Sequence, residues 1–184
     1  MKIRKSIFKI YLVASCVLVI LGAWSPVFAE PPAGTTESMK PPLDIVNKTG
    51  IKVVAQINSA EIFSNGVNRQ VMGVKNLFDN YTSSGMLPGK DFEIVMVFRG
   101  DGGSALLNDD AYAKRVAQQQ ATGNPNRGVL EAMSKGGVKM YECSMTMKGR
   151  GYRPEDLFPF SRVVVTGIGA IVDLEKSGYL QITP

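Results

Sequence analysis

The chain contains no histidine. With no imidazole to act as base or ligand, it cannot by itself build Ser/His/Asp catalysis, Cys/His catalysis or the commonest zinc sites. Cysteine is almost as scarce, with only Cys16 and Cys143 among 184 residues. No GxGxxG or Walker pattern is complete, so no dedicated nucleotide-phosphate loop is expected. No Lys/Arg cluster is interleaved with aromatics either, which argues against nucleic acid as a partner.

The formal net charge of +5 belongs to the N-terminus. Lys2, Arg4, Lys5 and Lys9 precede an apolar run from Ile10 to Trp24, and Ser25-Pro26-Val27-Phe28-Ala29 closes it with small residues of the kind a signal peptidase reads. This order predicts a cleavable leader over residues 1–29 and an exported, periplasmic protein. The run falls short of the roughly 20 residues a membrane span needs, so no membrane association is expected after cleavage. Without the leader the net charge falls to +1 and Cys16 is gone. Cys143 then has no partner in its own chain. In an oxidising compartment such a cysteine is buried, paired with another molecule, or used.

Residues 30–48, which open EPPAGTTESMKPP, have little to bury and are expected to form a flexible tether. Residues 49–184 are long enough for one domain with a real core. Ile51 to Ile57 reads as a buried strand, and Val67, Val71, Val74, Phe78 and Tyr81 recur at helical spacing. Asp91 to Phe98 is a near-continuous apolar strand, the pattern of a parallel sheet covered on both faces. Helices are expected over Asp109 to Ala121 and over Pro125 to Ser134, the second capped by Asn124 with Pro125 at its first position. Strands follow at Val138 to Tyr141, Arg162 to Thr166 and Tyr179 to Thr183, with a short helix from Ala170 to Lys176 after a turn at Gly167 and Gly169. Strands alternating with helices predict a three-layer α/β/α domain around a mostly parallel five-stranded sheet.

Ligands of such sheets bind beyond the carboxyl ends of the strands, and the third strand delivers Cys143 there. Ser144 and Thr146 follow as small polar residues suited to a helix start, then the cations Lys148, Arg150 and Arg153. Helix amides and positive charge both favour a thiolate, while Glu142 opposes it. Ser144, Thr146, Lys148 and Arg150 are therefore the residues expected to stabilise an anion on Cys143. Asn58, Arg99, Gly100, Asp101, Gly102 and Gly167 occupy neighbouring loops and are possible contributors. The bland alternative is a cysteine that only packs.

The stretch from Val138 to Pro184, with its strand-end cysteine, RGYRPEDL, the valine strand leading into TGIGAIVDL and the closing KSGYLQI, resembles the DsrE/DsrF-like family of sulfur-relay proteins. The resemblance implies a compact α/β domain that assembles into homo- or hetero-oligomers. It also implies that Cys143 carries sulfane sulfur as a persulfide between donor and acceptor proteins or small thiols, without a cofactor. Relay members of the family work in the cytoplasm, whereas this chain reads as exported. Two other function classes stay open. One is a Cu(I) site built from Cys143, Met145 and Met147, soft ligands that would share a face in an extended segment. The other is a non-catalytic assembly module with a structural cysteine.

Overall fold

The computed structural model describes residues 44–116 and 123–184. The expected leader, and the tether up to residue 43, lie outside the described residues. Residues 44–48 have no regular structure, and Ile45 is half-buried against the core. Among the described residues no helix is long and apolar enough to cross a membrane.

Five strands, β1 (Ile51–Ile57), β2 (Phe92–Phe98), β3 (Lys139–Cys143), β4 (Arg162–Val164) and β5 (Leu180–Ile182), form one sheet in the order β4-β3-β2-β1-β5. Every pairing is parallel. The central strand β2 is a nearly pure apolar run because both its faces are covered, as the sequence pattern predicts. Helices α1 (Arg69–Ser83), α2 (Asp109–Arg115), α3 (Arg127–Lys135), α4 (Ser144–Arg150) and α5 (Gly167–Lys176) complete the domain. The chain adds β2, β3 and β4 in one direction and then returns to place β5 beside β1. Crossovers between parallel strands are right-handed, so reversing direction sends the returning helix to the opposite face. That helix is α5. It packs on Val54, Val95 and Val97 through Ile171 and Leu174. The other face carries the main core, where Ile57, Met96, Phe98 and Met140 meet Val71, Val74, Leu130, Met133 and Met147.

Several element ends differ from those expected. The first helix starts at Arg69, where the Asn68 side chain caps it by accepting from the amides of Gln70 and Val71 at 2.9 and 3.1 Å. α3 starts at Arg127, not at Pro125. Asn124 caps the turn that leads into it, its Oδ1 accepting from the Asn126 amide at 2.9 Å, while its side-chain amide donates to the carbonyls of Ala105 and Leu107 and ties this turn to the segment after β2. The expected extension of α2 to Ala121 falls on residues 117–122, outside the described residues. Arg99 to Ser104 is not an open loop, because Gly100–Leu106 winds into a 3-10 helix. α5 begins three residues early, so Gly167 and Gly169 sit in its first turn. Their small size serves close approach there. A Cβ on Gly169 would lie 2.7 Å from the Thr166 methyl.

Candidate functional site

Cys143 ends β3 and leads directly into α4, as the sequence predicts. Residues of β3 alternate between faces, so Met140 and Glu142 point into the main core while Tyr141 and Cys143 point toward α5. The thiol is free and 5% exposed. It borders an open cleft of about 270 Å³ at the carboxyl edge of the sheet, shared with Arg99, Gly100, Met145, Thr166 and Ile168. Two larger hollows, of about 350 and 280 Å³, open near Gly137 and Val138 at the opposite edge, away from the cysteine.

Burial alone would push the thiol up. The amides of Thr146, Gly167 and Met145, together with the Thr146 hydroxyl, outweigh it and hold the thiol below its ordinary value. None of these is a tight helix-cap hydrogen bond. They are N–H and O–H dipoles gathered around one sulfur from the first turns of α4 and α5. A thiolate is favoured by such donors as it is by a nearby cation. Thr146 is itself positioned, since its hydroxyl oxygen accepts from the Gly100 amide at 2.8 Å. Gly167 leaves little room for a side chain: a Cβ there would lie 3.2 Å from that of Cys143 and 3.3 Å from that of Arg99.

The other expected site residues separate into those the fold brings to the sulfur and those it does not. Arg99 and Gly100 line the cleft. Ser144 does not face the sulfur, because its hydroxyl donates to the Val165 carbonyl at 2.7 Å and ties α4 to the end of β4. Lys148 is exposed in the last turn of α4, and Arg150 is ion-paired with Asp101. Asp101 is thus a partner for a cation and not for the cleft. Asn58 is held by Gln70, which accepts from its amide and donates to its side chain. Gly102 packs against β1, where a Cβ would meet the Ile57 carbonyl at 2.4 Å. The three soft ligands diverge: Met147 is in the main core, Met145 is 60% exposed, and Cys143 lies between α4 and α5. The helix that starts at Ser144 therefore breaks up the Cu(I) set.

Glu142 was expected to oppose the thiolate. It is fully buried, neither carboxyl oxygen has a hydrogen-bond partner, and burial followed by the adjacent Cys143 charge pushes its pKa up to about 9. It is neutral at pH 7 and adds no negative charge beside the sulfur.

With this geometry in view, comparison with known proteins is informative. The sequence profile of the DsrE/DsrF-like family matches residues 52–184, nearly the whole described domain. The chain belongs to the DsrE/DsrF-like family. No curated protein matches the chain significantly. Among solved structures, a protein of unknown function from Methanobacterium thermoautotrophicum is similar over 73% of this chain and 100% of its own, with 21% sequence identity and a TM-score of 0.54. At that identity the likeness bears on the fold alone, and it agrees with a DsrE-like parallel sheet flanked by helices. In this member of the family the strand-end cysteine stands at a cleft where backbone donors from two helices meet its thiol.

Proposed function

We propose that the protein is an exported sulfur carrier that holds sulfane sulfur as a persulfide on Cys143. The observation that carries this reading is the thiol itself, free, edged by a cleft and pulled toward thiolate by the donors of Thr146, Gly167 and Met145. Membership of a family associated with sulfur relay supports it. In the forward step the Cys143 thiolate attacks the outer sulfur of a donor persulfide. The donor S–S bond breaks, its inner sulfur leaves as a thiolate, and Cys143–S–S⁻ remains. An acceptor thiolate, on a protein or a small thiol, then attacks the outer sulfur and Cys143 leaves as thiolate. The same donors that favour the thiolate favour the persulfide anion, and Thr146 is the side chain that serves both. Export rests on the leader pattern of residues 1–29.

The test is alkylation of the folded, leader-free protein across pH, read by intact mass. Labelling is expected with a midpoint below the roughly 8.5 of a free thiol. A Cys143→Ser variant is expected to gain no sulfur from a persulfide donor. A thiol inert until denaturant is added would overturn the carrier reading and leave a packing cysteine in an assembly module.

Self-association forms part of the proposal. Val165, Ile168 and Val172 are 83, 57 and 44% exposed on and beside α5, and the edge strand β4 adds Val163 at 43%. A second copy of the chain would cover this apolar surface.

A further inference from the structure

We propose that the Cys143 cleft selects anionic sulfane-sulfur donors of the thiosulfate type, with Arg99 as the cation that receives the sulfonate group. The inference rests on the carrier reading and adds a substrate class to it.

Arg99 leaves β2 in extended conformation, with φ −156° and ψ 164°, at the same sheet edge as Cys143. The two residues flank one glycine: a Cβ built on Gly167 would lie 3.2 Å from the Cys143 Cβ and 3.3 Å from the Arg99 Cβ. The guanidinium is half-buried and held by a neutral group, donating from Nη1 to Gln56 Oε1 at 3.4 Å. Among the described residues it makes no ion pair. Arg115, Arg127, Arg150 and Arg153 each have a carboxylate partner. Among the described residues no carboxylate lines the cleft: Asp101 is engaged by Arg150, and Glu142 points to the other face of the sheet. Among the described residues, the cleft therefore contains one thiol and one arginine without a carboxylate partner.

A persulfide-forming reaction with thiosulfate has a particular electrostatic problem. A thiolate must approach a dianion, and the group that departs is also a dianion. An arginine in the cleft offsets the first repulsion and holds the second charge, and its planar fork suits an oxyanion. The thiolate of Cys143 attacks the outer, sulfane sulfur of thiosulfate. The bond between the two thiosulfate sulfurs breaks, its electron pair leaves with sulfite, and Cys143–S–S⁻ remains. No proton or external electron is required.

Arg99→Gln separates this role from general reactivity of the thiol. Sulfite release from thiosulfate and alkylation by anionic iodoacetate and neutral iodoacetamide are measured on the leader-free wild type and variant. The expected result is about a tenfold slower reaction with thiosulfate and iodoacetate in the variant, roughly the loss of one ionic contact in the transition state, and an unchanged rate with iodoacetamide. Arg99→Lys is expected to fall between. Equal slowing with all three reagents would overturn the inference, because Arg99 would then act on the thiol and not on the incoming anion. Ready alkylation of wild type by iodoacetamide with no sulfite released from thiosulfate would overturn it while leaving the carrier reading intact. A wild-type thiol inert to every reagent would end both.

Discussion

Glu142 sets an ionisable side chain among the apolar groups of the main core, with neither oxygen hydrogen-bonded. Its pKa of about 9 ties stability to pH with a definite sign. Above the ordinary carboxylate range the unfolded chain releases this proton and the folded chain keeps it. Folding stability therefore falls as pH rises from about 4.5 and levels off past about 9. The slope contributed by this one group is at most about 1.4 kcal/mol per pH unit. Cys143 works the other way at higher pH, since its lowered value adds stability that is present above the ordinary thiol range and is lost as pH falls through the folded value. Glu142→Gln keeps the shape and removes the titration. Urea unfolding should find the variant similar to wild type near pH 5 and more stable by about 1 to 3 kcal/mol at pH 7. Parallel curves for the two proteins would show that Glu142 does not bind a proton in the folded state. The sequence reading counted Glu142 as a charge because a side chain's protonation depends on what buries it, and Gly103, which its carboxyl packs against, comes 39 positions earlier in the chain.

At the scale of elements, α5 joins the site to the sheet. Its first residue is Gly167, with Val97 as well as Cys143 and Arg99 within 3.3 Å of where a Cβ would be. The Cys143 and Arg99 contacts are to Cβ atoms, which no side-chain rotation can move away. Gly167→Ala should lift the start of α5, withdraw the Gly167 amide from the sulfur and raise the thiol toward its ordinary value. Alkylation at pH 7 should slow severalfold, with a stability cost of about 1 to 3 kcal/mol from overpacking. An unchanged labelling profile would remove Gly167 from the donor set. The strands were legible because they are short, mostly apolar runs, β-branched in β1, β2 and β4, and β1 keeps the ends that Ile51 and Ile57 suggest. The start of α5 was not, since glycines read locally as turn residues whereas here they serve packing against a strand 24 positions earlier. The Asp101–Arg150 pair was hidden for the same reason, as its partners are 49 residues apart. The cysteine and Thr146 could be found from local order alone, and the acid-free cleft around Arg99 could not.

In the folded domain the two faces of the sheet are covered unequally. Among the described residues, one face of the sheet is covered by α1, α3 and α4 and the other by the ten residues of α5. Val163, Val165, Ile168 and Val172 remain open on that thinner side, and Ile168 also borders the Cys143 cleft. Sedimentation velocity on the leader-free protein should show a species larger than the monomer. Val165→Glu with Val172→Glu should return it to the monomer while preserving the cooperative unfolding transition. A wild type that sediments as a monomer at micromolar concentration would leave the face uncovered and the assembly proposal without support.

The sulfur draws its donors from α4 and α5, and the Gly167 amide arrives 24 residues after the cysteine it acts on. On the carrier proposal, the ease with which the sulfur ionises belongs to the tertiary structure and is gained when α5 docks, so the pH midpoint of alkylation would report completion of the fold.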